Sequence, residues 1–135
     1  MAFIAGAVNA FKWSLENDMY KCIALLKKRA DLSRDQLIDY YENNHAPLIK
    51  SLFPGIVQYR RNFLDLEGAF LSKTSPIDFD VVTEIWFEDR AAYDVFLAEN
   101  AKPDVARRIA EDEANVFDRS ATRMFVVEEK TSPIA

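Results

Sequence analysis

The sequence predicts an α+β domain, and two observations carry that reading. Strand-length runs of apolar and β-branched residues alternate with segments whose apolar residues recur at helical spacing, with capping and turn residues at the joins. The chain has 135 residues, half of them apolar, with ten Phe, five Tyr and two Trp among them. That is enough for one core and too little for two.

Each element can be justified in order. Ala2 to Phe11 is apolar but lacks the basic start of a signal peptide and is too short to span a bilayer, so residues 1–19 are read as an N-terminal arm. Tyr20 to Leu26 is an apolar run of strand length. Ser33 begins a helix, because Gln36 three residues on completes a capping box and Leu37, Ile38, Tyr41, His45 and Leu48 follow on one face. Pro54-Gly55 breaks the chain, and Ile56 to Leu64 reads as a second strand. Asp65 to Asp80, with Gly68, Ser72, Ser75 and Pro76, reads as a loop long enough to be functional or mobile. Val81 to Phe87 is the clearest strand. Asp89 caps a helix carrying Ala92, Tyr93, Phe96 and Leu97 on one side. Pro103 opens a second short helix that runs through Val105 and Ile109 to about Ala114. In Asn115-Val116-Phe117-Asp118 the aspartate is a turn residue, and Ala121 to Glu128 is the fourth strand. Residues 131–135 form a tail, leaving 20–130 as the domain.

This order of strand, helix, strand, strand, helix pair and strand is the split βαβ arrangement of ferredoxin-like folds. On the third strand Val82, Glu84 and Trp86 point one way while Val81, Thr83, Ile85 and Phe87 point the other, so both faces read as largely apolar. Helices can cover only one. A second copy of the chain is the economical cover for the other, and the expectation is a homodimer whose two sheets enclose a barrel-like core.

Composition narrows the function. The net charge of −5 argues against a nucleic-acid or anionic-membrane partner. A single cysteine, Cys22, can form no internal disulfide, and with one histidine there is no Cys/His cluster for zinc, which fits a cytoplasmic setting. Only three glycines are present and none forms a phosphate-cradling loop, so no cofactor or metal is expected. No nucleophile-elbow sequence is present either.

His45 has the one side chain whose ordinary pKa lies near neutrality, which suits it to proton transfer, and Tyr41 precedes it by one turn on the same face. The alternative is a residue that hydrogen-bonds local carbonyls and locks the turn before Pro47. Glu84, an acid inside an apolar strand, needs a partner, with Arg61 and Arg123 as candidates, and is read either as a catalytic acid or as half of a buried ion pair. Tyr59 could present its hydroxyl to a ligand, beside Arg61. Trp86, Phe96 and Phe125 could wall in a planar ligand, or serve simply as core.

The strand ending in Lys27-Lys28, the helix ending in Asn44-His45-Ala46-Pro47-Leu48, the Phe53-Pro54-Gly55-Ile56 turn into Tyr59-Arg60-Arg61-Asn62, and Glu84-Ile85-Trp86-Phe87 together resemble the EthD family. The resemblance runs from about Tyr20 to Lys130. It implies a dimeric α/β barrel, a superfamily that includes cofactor-independent monooxygenases, muconolactone-type isomerases, polyketide cyclases and polyketide-tailoring decarboxylases. EthD proteins are commonly classed with oxidoreductases. Two functions follow as expectations. One is a cofactor-independent enzyme of oxidoreductase, isomerase or decarboxylase type, acting on a hydrophobic, aromatic or polyketide-like compound with His45 as acid/base. The other is a non-catalytic dimeric binding or accessory protein for a partner enzyme.

Overall fold

The computed structural model describes residues 19–134. The expected arm over residues 1–19 therefore falls, but for Met19, outside the described residues. Strand β1 (Tyr20–Leu26) leads to helix α1 (Arg34–Tyr40), a π-helical turn (Tyr41–His45) and helix α2 (Ala46–Leu52). Strands β2 (Ile56–Phe63) and β3 (Val81–Phe87) follow, then α3 (Arg90–Asn100), α4 (Pro103–Glu113), a 3₁₀ turn (Arg119–Ala121) and β4 (Arg123–Val127). The four strands form one antiparallel sheet in the order β2-β3-β1-β4. This is the α+β, ferredoxin-like split βαβ pattern that the element order predicts.

The local signals act as read. Ser33 Oγ accepts from the Gln36 amide at 3.1 Å while Gln36 Oε1 accepts from the Ser33 amide at 2.8 Å, closing the capping box. Asp89 accepts from the Ala92 amide at 2.8 Å, and Pro103 occupies the first turn of α4. Both ends of the long loop are pinned: the Leu64 amide donates to the Asp80 carbonyl at 2.9 Å and the Asp80 amide to the Leu26 carbonyl at 2.8 Å.

Three details differ from the sequence reading. The helix after Ser33 does not run straight, because Pro47 has no amide proton and its ring crowds the carbonyl four residues back; a wide turn, in which the Ala46 amide reaches the Tyr41 carbonyl, absorbs the conflict. Leu97 is 41 % exposed, leaving Ala92, Tyr93 and Phe96 as the packed face of α3. Strand β4 begins at Arg123, two residues late, since Asp118 accepts from the Ser120 amide and holds Arg119–Ala121 in a 3₁₀ turn.

Both core clusters lie on one side of the sheet. Leu37 and Tyr41 pack with Ala24, Leu26 and Val81, while Ile49, Phe96 and Ile109 pack with Cys22, Ile85 and Phe87. Val116 and Phe117 are buried in the first cluster, and main-chain bonds from Arg29 to Val116 and from Asp118 to Lys27 tie that segment to the end of β1. The opposite face carries Lys21, Ile23 and Leu25 from β1 with Val82, Glu84 and Trp86 from β3. It is less apolar than the third strand alone suggests. Lys21 bonds both Glu84, at 2.7 Å, and Glu129, and the Trp86 ring lies between Lys21 Nζ at 4.3 Å and the Arg60 guanidinium at 4.8 Å.

Candidate functional site

Between the helices and the first face of the sheet lies a cavity of about 210 Å³, bordered by Tyr41, His45, Tyr59, Thr83, Phe96 and Glu113 among others. The helical spacing of Tyr41 and His45 across the wide turn aims both side chains inward, where they are 0 % and 5 % exposed. Tyr59 projects from β2 and Thr83 from β3 on the same sheet face as Ile85.

His45 is not held by local carbonyls. Its Nδ1 lies 2.6 Å from Oδ2 of Asp112, at the C-terminal end of α4. The other carboxylate oxygen accepts from the Tyr40 hydroxyl at 2.9 Å, and that hydroxyl accepts in turn from Asn115 Nδ2 at 3.1 Å. A carboxylate accepting at Nδ1 places the imidazole proton there and leaves Nε2 as the free base. Among the described residues Nε2 has no hydrogen-bond partner. Edge-on contacts with the Tyr41 and Phe117 rings, at 4.8 and 5.2 Å, fix the plane of the imidazole.

Three hydroxyls form a chain beside it. Tyr41 lies 2.6 Å from Thr83 Oγ1 and 3.0 Å from the Tyr59 hydroxyl. Three hydroxyl protons serve two bonds, so one donor at the Tyr59 or the Thr83 end is left for an oxygen in the cavity. Burial pushes the Tyr41 phenol up to about 12, against the pull of the Thr83 and Tyr59 hydrogen bonds. Burial, reinforced by Tyr41, also raises Tyr59. Both stay protonated at neutral pH and act as donors. Burial likewise raises the Glu113 carboxyl above its ordinary value, opposed by the charge of Arg119, whose Nε is 3.6 Å away.

Tyr41, His45, Tyr59 and Phe96 are thus brought together. Glu84, Trp86 and Phe125 are not: the pairing register places all three on the opposite face of the sheet. Glu84 takes Lys21 and Asn62 as its partners, where Arg61 and Arg123 were expected. Burial pushes its carboxyl up, but the bonds from Lys21 and Asn62 outweigh that and hold it below the ordinary value. Arg61 sits behind the cavity, paired with Glu42 and stacked 4.9 Å from the Tyr59 ring, and Arg123 pairs with Asp78. Phe125 is 44 % exposed on the edge strand. Cys22 is fully buried with its thiol pushed up to about 11, which makes it a small core residue.

The sequence reading missed Asp112, Glu113 and Thr83. The available signals were the spacing of Asp112 three residues after the core residue Ile109 and the alternation that put Thr83 beside Val81 and Ile85. Among the described residues no group of three or more His, Cys, Asp or Glu side chains could hold a metal ion, and no helix is long and apolar enough to cross a membrane.

Known structures with this fold include an EthD family protein from Bacillus halodurans, at 20 % identity and a TM-score of 0.56, covering 83 % of this chain and 99 % of that one. SnoaB, a cofactor-independent oxygenase from Streptomyces nogalater, is 11 % identical with a TM-score of 0.53, covering 85 % and 96 %. A dimeric ferredoxin-like protein of unknown function from Bacteroides fragilis is 11 % identical with a TM-score of 0.51, covering 83 % and 97 %. No match is found among curated proteins. The EthD domain matches residues 29–120, most of the chain and eleven of the fifteen residues that line the cavity, and the chain belongs to the EthD family.

Proposed function

We propose that this chain is a cofactor-independent enzyme that begins its reaction by proton transfer from a small hydrophobic compound, a phenol, an enol or a carbon activated by a neighbouring carbonyl. The observation that carries this reading is the His45–Asp112 pair at 2.6 Å beside an otherwise largely apolar cavity. His45 Nε2 takes the proton, and Asp112 holds the ring and stabilises the imidazolium that forms. The spare donor of the Tyr59–Tyr41–Thr83 chain meets the oxygen on which negative charge develops. Apolar walls exclude water and keep the deprotonated compound reactive. Oxygenation and isomerisation of such compounds share this first step, and the likeness in fold to a cofactor-independent oxygenase agrees with it.

We infer a homodimer formed through the face that takes no part in either core, with Ile23, Leu25 and the 44 % exposed Phe125 at its centre. We take residues 20–130 as the domain, which the match over 29–120 supports, and a cytoplasmic setting, which the single cysteine supports.

Exchange of the acidic C–H of β-tetralone in deuterium oxide, followed by NMR, tests the activity without knowledge of the natural substrate. Wild type accelerates exchange over buffer and His45→Ala does not. A wild type that binds β-tetralone without accelerating exchange would favour the binding-protein alternative.

A further inference from the structure

The His45 cavity shares its aromatic wall with a second one. Phe53 and Phe96, whose rings meet edge-to-face at 4.7 Å, border it on one side. The same two side chains border a second cavity of about 360 Å³ that opens to the surface between the end of α2, the start of β2 and helix α3. Leu52, Ile56, Phe87, Ala92 and Val95 complete its apolar walls. Its one charged residue, Glu99, is at 2.6 Å from Lys102 Nζ and so already has a partner. Val95 at the rim is 62 % exposed, an apolar side chain left uncovered by the described residues.

We propose that this groove holds the aliphatic side chain of the compound whose hydroxyl-bearing ring occupies the His45 cavity, the two spaces joining where Phe53 and Phe96 part. The inference rests on the function proposed above and names the class of substrate: a phenol or enol carrying an alkyl or prenyl-like chain of several carbons. Adjacency is the first support, since Phe53 and Phe96, whose rings touch, line both compartments. Chemistry is the second. The inner cavity has hydroxyls and an imidazole for a polar head, whereas the groove has no unpaired polar side chain and can reward only apolar surface. The rings of Phe53, Phe96 and Phe87, with successive centroids 4.7 and 5.0 Å apart, give such a chain an aromatic floor.

The full chain, its His45→Ala variant and two groove variants are titrated calorimetrically with para-cresol, para-propylphenol, para-pentylphenol and para-heptylphenol. Each added methylene raises wild-type affinity about fourfold once the chain passes the ring pair. Ala92→Trp, which fills the groove, and Val95→Asp, at an exposed position that accepts polarity, lower affinity for para-heptylphenol by about tenfold or more and leave para-cresol unchanged. Equal affinity across the series overturns the inference, and is the result expected if a second copy fills the groove. An undiminished chain-length gain in both groove variants overturns it as well. If para-cresol shows no His45-dependent binding, the cavity reading fails and this inference with it. If para-cresol binds through His45 and longer chains gain nothing, this inference alone fails.

Discussion

His45 and Asp112 stand 67 positions apart in the sequence and 2.6 Å apart in the fold, joining the wide turn after α1 to the last turn of α4. The bond does two things at once. It selects the imidazole tautomer, and it ties α4 to the wide turn between α1 and α2 within the helical layer that covers the cavity.

Replacing Asp112 by Asn keeps the shape of the site but offers Nδ1 an amide. The ring can then present its proton to the cavity instead of a lone pair, and proton exchange on β-tetralone should fall about 10²- to 10⁴-fold. NMR of the imidazole proton separates this from simple unfolding. Retained exchange activity would remove Asp112 from the mechanism.

Tyr41→Phe deletes the middle hydroxyl of the chain of three and leaves Thr83 and Tyr59 each without a partner. Denaturant unfolding should show a loss of about 1–3 kcal/mol, with Tyr59→Phe costing less because Tyr41 keeps its bond to Thr83.

Glu113 gives stability a defined pH dependence. Its carboxyl titrates above the ordinary value of 4.5 in the folded chain, chiefly through burial. The native state therefore holds this proton to higher pH than the unfolded state does. Its contribution to stability is full below the ordinary value and is lost as pH rises from there through the raised folded value. Glu113→Gln should flatten that fall in urea titrations run at stepped pH, and an unchanged slope would contradict the burial argument.

On the opposite sheet face, Lys21→Met removes the cation shared by Glu84 and Glu129, leaving two partly buried carboxylates beside Trp86. A loss of about 2–3 kcal/mol is expected, below the 3–5 kcal/mol typical of a fully buried pair, because Glu84 keeps 21 % side-chain exposure. Lys21→Met with Glu84→Leu should regain part of it. A thermal melt of the single and double variants decides.

Local chemistry was legible in the sequence and long-range geometry was not. The Ser33–Gln36 box, the Asp89 cap and Pro103 each act within a few residues, and each marks its helix. The alternation of Glu84 and Trp86 against Thr83 and Ile85 showed which residues share a face, but not which face the helices cover. Asp112 could not be matched to His45, because nothing near either residue encodes how α4 packs across α1 and α2. The wide turn was hidden too, since Tyr41 and His45 keep a four-residue spacing that suits an ordinary helix.

That turn affects how the chain should be compared with its relatives. A π-turn holds one residue more than the α-helical turn it replaces. Against a relative whose helix runs straight, a gapless alignment matches the residues either before Tyr41 or after His45, but not both. The gap belongs within Glu42-Asn43-Asn44, in the middle of a helix, where alignments ordinarily forbid one. Placed elsewhere, it would pair His45 with a neighbour of its true counterpart and make a shared histidine look absent.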